Sequence, residues 1–466
     1  MKNGLVFLFA CIFLGILPSC DTQKALTDPN LGVELENDSI VFDTVFTTRG
    51  SATEWLKIYN PHSGPIIIDE IFLAGKRYTG NSPYRLNING QPVNEVIDYE
   101  LAAGDSMYVF AEVTLDPNGA NSPLLVTDSI VIKRGNKEAK IQLVAYGQDA
   151  IYLYQDQVPC GEVWTDQKPY VIVDYAYVAP NCTLTMREGT RVYLGKNAQL
   201  AVAGNLQALG TKSKPILFRG DRLDAPYSNF TGAYQGIHFY KESVGNYINY
   251  ADIRNGSIGI QCDSFVVGRD NLVVKNTRIS NQLYVGILGL SARIKAENCL
   301  IADCGKYNIY GALGGNYEFL HCTIGNNDQQ FGRKDAAVTL NNVDHPAGTS
   351  VNTALSAIFK NCIIWGNLND ELDLDSAGSK GFSTNFERCI IKTNTATTPN
   401  WVTKGYLNSI TNKLNENPRF KSTSDYRIDT LSPCYRYGSA QGVLKDLDDV
   451  DRDLFLPTVG CYERKE

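Results

Sequence analysis

Six stretches decide the fold: YINYADIRNG at 247–256, LVVKNTRISN at 272–281, RIKAENCLIADC at 293–304, YEFLHCTIGNN at 317–327, AIFKNCIIWGN at 357–367 and NFERCIIKTN at 385–394. Each is an alternating segment that ends in a polar or small residue, one intervening residue and an Ile, usually with Asn close behind. The aligned Ile residues are Ile253, Ile279, Ile301, Ile324, Ile364 and Ile391, at intervals of 26, 22, 23, 40 and 27. Two positions before them stand Ala251, Thr277, Cys299, Cys322, Cys362 and Cys389. A period of twenty-odd residues built from short alternating strands belongs to a solenoid. Leucine-rich repeats would need Leu at fixed spacings and a helical turn, and propeller blades would need four strands in about forty residues. The remaining reading is a right-handed parallel β-helix whose coils stack at roughly 4.8 Å. Small and β-branched residues suit its inward ladders, and Asn suits turns that require a left-handed backbone.

Working outward, 466 residues exceed one ordinary core, although a solenoid grows along one axis and escapes that limit. Helical apolar periodicity is absent beyond the first twenty residues, so the fold class is all-β. A formal charge of −7 without a long basic run excludes nucleic acid as an expected partner, and offers no polybasic membrane surface.

At the N-terminus, Lys2 precedes an apolar stretch from Leu5 to Ile16, and Leu17-Pro18-Ser19-Cys20 ends it. The stretch is too short to span a bilayer, and the pattern matches a lipoprotein signal peptide in residues 1–19 with Cys20 as the lipidated residue. The expected location is the cell envelope, at the outer membrane, with the lipid as the only membrane attachment. Residues 20–31 are polar and read as a tether. Of 12 Cys, Cys11 leaves with the signal and Cys20 is lipidated. Four of the remainder belong to the repeat column, where they serve as small apolar residues, and Cys434 with Cys461 is the candidate disulfide.

Residues 32–149 carry alternation without the repeat. Seven strands are expected, at 39–46, 53–60, 65–73, 84–88, 106–115, 127–133 and 139–145, separated by turn signals such as Asn89-Gly90 and Gly135-Asn136. This makes an N-terminal immunoglobulin-like β-sandwich. LKIYNPHSGPIIIDEIFLAG, LAAGDSMYVFAEV and IQLVAYGQDA resemble the Ig-like domains shared by bacterial and ciliary proteins. The β-helix is expected over residues 150–430. KPYVIVDYAYVAPNCTLTMREGTRVYLGKNAQLAVAGNLQALGTKSKPILFRG, TGAYQGIHFYKES and EFLHCTIGNN resemble bacterial surface lipoproteins of the right-handed parallel β-helix repeat type, with a pectate-lyase-like fold. The tail LSPCYRYGSAQGVLKDLDDVDRDLFLPTVGCYE resembles their choice-of-anchor Q element, matching at Ser432, Pro433, Cys434, Asp446, Asp448, Arg452, Gly460, Tyr462 and Glu463, with Asp449 and Cys461 as departures. That resemblance implies that residues 431–466 cap the solenoid, with Arg452 paired to a neighbouring carboxylate.

A β-helix flank offers a groove for an extended polysaccharide. A lyase would need a cationic neutraliser and a base, and a hydrolase would need carboxylates on both sides of the glycosidic bond. Arg293-Ile294-Lys295 resembles a polygalacturonase string but lacks its companions, so Arg293 and Lys295 read as outward charges around an inward Ile294. Candidate sugar-stacking rings are Tyr227, Phe230, Tyr234, Trp365 and Trp401, with Tyr406 near the last. Calcium is the one cofactor with candidate ligands: Glu371, Asp373 and Asp375 on one strand face, and Asp446, Asp448 and Asp451 near the C-terminus. No complete catalytic set is legible. The expected role is therefore a lipid-anchored carbohydrate-binding or structural and adhesive module, partnered by polysaccharide or envelope proteins; the alternative is a polysaccharide lyase or glycoside hydrolase.

Overall fold

The computed structural model describes residues 24–117, 124–225, 227–264, 268–327, 332–342, 353–376, 380–394 and 398–465. The expected lipoprotein signal and the expected lipidation residue, Cys20, lie outside them. The chain divides into two compact units between Asp149 and Ala150.

The first unit packs two sheets on one core. Its strands are β1 (Glu34–Leu35), β2 (Ser39–Phe46), β3 (Glu54–Tyr59), β4 (Ile66–Leu73), β5 (Tyr84–Ile88), β6 (Glu95–Leu101), β7 (Ser106–Val113), β8 (Leu124–Arg134) and β9 (Lys137–Gln148). One sheet runs β1-β3-β7-β5 and the other β2-β9-β8-β4-β6. Alternation places Leu56, Ile58, Met107, Val109, Ala111, Ile141 and Leu143 inside, each at most 1% exposed. Three elements escape the seven-strand expectation: the two-residue β1, β6 and α1. β6 is an edge strand that keeps one antiparallel register with β4 and exposes Glu95, Ile97 and Glu100, with Asp98 at φ 51 in its middle; α1 (Ala74–Thr79) is a single short helix closed by Gly80 in the left-handed conformation. Part of the segment expected as a tether contacts the first unit. Arg134, 5% exposed, donates to the carbonyls of Leu26, Asp28 and Leu31 at 2.7 Å, and Leu26 packs against the core. A buried guanidinium demands acceptors, and these three carbonyls supply them.

The second unit is a stack of parallel strands in three ladders, each strand pairing with its counterpart one coil away. The first ladder carries the repeat: Ile253, Ile279, Ile301, Ile324, Ile364 and Ile391 are successive register partners, all 0% exposed. The residue ahead of the Ala/Thr/Cys column is left-handed in every coil, at Tyr250, Asn276, Asn298, His321, Asn361 and Arg388, with φ between 47° and 60°. That turn explains the column. The Thr277 hydroxyl donates to the Lys275 carbonyl, and the thiols of Cys299, Cys322, Cys362 and Cys389 donate to the carbonyls of Glu297, Leu320, Lys360 and Glu387, again two residues back. Thr and Cys are interchangeable here because each is small and carries one donor. The third ladder stacks Phe319, Phe359 and Phe386 with centroids 4.8 and 5.0 Å apart.

The C-terminal segment is not the expected end cap. From Phe420 onward it lies along the outer side of the first ladder as a strap. Leu300 and Ala302 pack with Tyr426, Leu447, Cys461 and Tyr462, while Ile363 and Ile390 pack with Ile428, Cys434 and Val459. The reason is the apolar character of those outward positions, which would otherwise face water. The last coil is closed instead by the segment containing α2 (Thr398–Thr403): Trp401 and Leu407 join the solenoid core, and Tyr406 lies 4.8 Å from Phe382.

Candidate functional site

The outward sides of the three ladders have different fates. The strap covers much of the first. Along the third run ion pairs, Lys275 with Glu297 at 2.9 Å, Lys360 with Glu387 at 3.2 Å, and Asp270 with Arg293 and Lys295 at 3.0 and 3.1 Å. Ile294 is fully buried between those two cations, so the Arg293-Ile294-Lys295 string is a solvated ladder edge. The second ladder carries chemistry.

Its outward register row is His238, Gln261, Leu288, Tyr310, Thr339 and Asp373, one residue from each of six successive coils. At about 4.8 Å per coil the row spans roughly 24 Å, the reach of an extended oligomer. Buried Ile237, Cys262, Ile287, Ile309, Val338 and Leu372 flank these positions in the chain and fix their outward direction by alternation. At one end, His238 Nε2 lies 2.7 Å from Asp263 Oδ2, Gln261 donates to the other Asp263 oxygen at 2.9 Å, and Tyr240 stacks on the imidazole at 4.2 Å. Burial opposes ionisation of Asp263, but the bonds from His238 and Gln261 prevail and hold its carboxyl below the usual range. At the other end, Tyr307 and Tyr310 stack at 4.7 Å, and the Tyr307 hydroxyl donates to Asp335 at 3.2 Å. Burial, then the Asp335 charge, pushes the Tyr307 phenol up to about 12. Asp373 is raised, first by desolvation and then by Asp375, Asp370 and Asp335. Carboxylates crowded beside stacked phenols can accept hydroxyl protons and, where one stays protonated, donate.

The sequence-selected residues meet varied fates. Asp373 and Asp375 do point outward from Leu372–Asp375, over buried Leu372 and Leu374. Glu371 does not share their face: it is fully buried and receives two bonds from one Arg333 nitrogen, at 2.6 and 2.8 Å. Asp446 is buried and accepts from the amides of Asp448, Val450 and Glu463. Asp448 meets Lys212, Arg278 and Arg427, and Asp451 meets Lys445 at 2.8 Å. Among the described residues, no group of three or more His, Cys, Asp or Glu is arranged to hold a metal ion.

Of the expected stacking rings, Tyr227 and Phe230 are 44% and 60% exposed and 6.2 Å apart, with Arg222 over the Tyr227 ring. Tyr234 is wholly buried and Trp401 nearly so, because both fill the solenoid core. Trp365 packs beneath the strap, with Lys392 5.4 Å from its ring. The Cys434–Cys461 bridge is not formed: both thiols are free and buried, in separate clusters. The disulfide joins Cys160 to Cys182 instead, between successive coils at the start of the solenoid. Arg452 pairs with Glu463 at 3.2 Å and also donates to Asn298 at 2.7 Å, tying the strap to the left-handed turn row.

Sequence reading missed Tyr307, Tyr310 and Asp335. The alternation in YNIYGALG was visible, but only register across an irregular insertion brings Tyr310, Thr339 and Asp373 together.

No protein-family model matches this chain, and no curated protein does. Among solved structures, it is similar to the catalytic domain of a GH87 alpha-1,3-glucanase, with 11% identity over 72% of this chain and 61% of that one, at a TM-score of 0.25. The Agl-KA catalytic domain gives 12% identity over 80% of this chain and 85% of that one, at 0.25. A family 123 glycoside hydrolase from Clostridium perfringens gives 8% identity over 25% of this chain and 26% of that one, at 0.18. The chain thus spans about a quarter of this last structure and under two thirds of the glucanase domain. Likenesses this remote carry no argument about activity.

Proposed function

We propose that this protein is a lipid-anchored envelope protein whose right-handed β-helix binds an extended glycan along the outer face of its second ladder, with an immunoglobulin-like sandwich preceding it. The observation that carries the binding reading is the row ending in Tyr310, Thr339 and Asp373, with Tyr307 stacked on Tyr310 and bonded to Asp335. Rings give a flat apolar surface for a pyranose, and adjacent carboxylates accept its hydroxyls. The test uses full-length protein carrying Cys20→Ser, sedimented with insoluble polysaccharides and titrated with their oligomers. Binding to at least one glycan is expected, weakened about tenfold by Tyr310→Ala; binding that ignores this substitution would move the site elsewhere.

A second reading has its own support. The raised proton affinity of Asp373, with Asp335 nearby, suits a general acid beside a second carboxylate in a glycoside hydrolase. It requires release of reducing ends that Asp373→Asn abolishes. Absence of turnover across the panel would leave the binding role alone.

The anchor has a separate check. Cys20→Ser should abolish labelling by a fatty-acid probe and release the protein from the membrane fraction, and retention of both would remove the lipid from this reading.

A further inference from the structure

The first unit carries a solvent-facing aromatic sheet face that the β-helix reading does not use. On β3, β7 and β5 the buried inward residues Leu56, Ile58, Met107, Val109, Ala111, Val113, Leu86 and Ile88 are apolar, yet the outward ones are Trp55, Lys57 and Tyr59, then Tyr108, Phe110 and Glu112, then Arg85 and Asn87. Register sets Trp55 opposite Phe110, and Phe110 opposite Asn87. Trp55 is 50% exposed and Tyr108 37%. Their rings are 5.4 Å apart, and Tyr108 lies nearly parallel to Phe110 at 5.8 Å. Exposed rings on a sandwich face lose stabilisation without a covering group, so three in contact are a binding feature.

Beside the rings lies a hollow of about 480 Å3, lined by Thr53, Arg85, Asn87, Asn94, Phe110 and Glu112 among others. Its volume is that of a small-ligand site. Its polar groups are mutually neutralised: Arg85 lies 3.8 Å from Glu112, and the Thr53 hydroxyl donates to Glu112 at 2.6 Å. One acceptor is left over. Asn87 Oδ1 is occluded from solvent without a hydrogen-bond partner; such an atom costs free energy, and rotation of the Asn87 side chain toward the hollow lets a ligand hydroxyl satisfy it. A ligand for this site therefore brings hydroxyl donors, tolerates a site with no net charge in its lining, and offers a flat apolar face to Phe110 and Trp55.

We propose that the β3–β7–β5 face is a second glycan site, taking the end of a neutral oligosaccharide, with Phe110 and Trp55 as the stacking surface and Asn87 Oδ1 as a hydroxyl acceptor. It is independent of the second-ladder site, because no residue is shared.

The test is titration of full-length Cys20→Ser protein with cellohexaose, laminarihexaose, maltohexaose, xylohexaose and mannohexaose, followed by tryptophan fluorescence and calorimetry. At least one hexaose should bind and shift the emission, and the Trp55→Ala/Phe110→Ala double variant should weaken that binding at least tenfold with unchanged melting. Asn87→Leu, which removes the acceptor without touching the rings, should weaken it about threefold or more. Three results overturn the proposal: no hexaose binds, binding survives the double variant within twofold, or binding is lost in Tyr310→Ala but retained in the double variant. The last would assign the affinity to the β-helix.

Discussion

Position 321 sits in a row that asks for a residue tolerating positive φ, and neighbouring coils answer with Asn276, Asn298 and Asn361. His321 takes the same conformation at φ 50 but is 1% exposed, its Nε2 meeting the Asn361 side-chain amide at 2.9 Å. Burial, then the charge of Arg452, lowers its pKa well below the ordinary value. The sign follows directly. The unfolded chain binds the proton near pH 6.5 and the folded chain does not, so stability is full above that pH and falls as the solution is acidified. His321→Asn keeps the turn and removes the titration. Urea midpoints should show wild type losing up to about 2 kcal/mol relative to the variant between pH 7 and pH 5. Parallel pH profiles for the two proteins would place the acid sensitivity in another group.

At the scale of elements, the Ile column and the strap make different demands. Ile324 lies between Ile301 and Ile364 in a dry column, so Ile324→Asp buries a carboxylate with no partner, at a cost of several kcal/mol. The variant should be insoluble or melt far below wild type; unchanged melting would show the register to be wrong. The strap covers rather than fills. Deleting residues 432–466 removes Val459, Cys461 and Tyr462 from the outward Ile363, Ile390, Leu300 and Ala302, and takes Asp448 from Arg278. Aggregation through this uncovered stripe is expected in size-exclusion chromatography. A truncated protein that stayed monomeric and equally stable would deny the strap its role. Single replacement Arg452→Ala should already cost about 3–5 kcal/mol, because it leaves Glu463 buried and unpaired.

For the whole molecule, two units with separate cores predict two separable folding reactions. Residues 24–149 and 150–466 expressed apart should each melt cooperatively, and only the second should respond to reductant through Cys160–Cys182. That bridge spans a sequence separation of 22, so its loss should cost about 3 kcal/mol on the chain-entropy account. A single transition for the intact chain that neither piece reproduces would contradict the division.

The Ile column was legible in sequence because a period of two sets the face of every residue in a strand, and one residue of slip would expose the whole set. The same rule made Ile294 inward and Arg293 with Lys295 outward, and put Asp373 and Asp375 on the outer face. It failed where the chain leaves the strand. Glu371 precedes Leu372–Asp375, and its direction was set by Arg333, thirty-eight positions away in sequence. Cys434 and Cys461 are candidates because both lie outside the repeat, but each thiol is buried in a different cluster under the strap, whereas successive coils bring Cys160 and Cys182 to a Cα separation of 4.7 Å, within disulfide reach. The apolar outward residues under the strap, Leu300, Ala302, Ile363 and Ile390, bear no mark in their own strands of the segment that covers them. Sequence by itself thus determined the repeat, its inward column and its left-handed turns, since each depends on local alternation and backbone sterics. Only the tertiary structure decided which outer faces are covered, which carboxylates meet, and that Tyr310 and Asp373 share a row, since those depend on register between coils separated by insertions of unequal length.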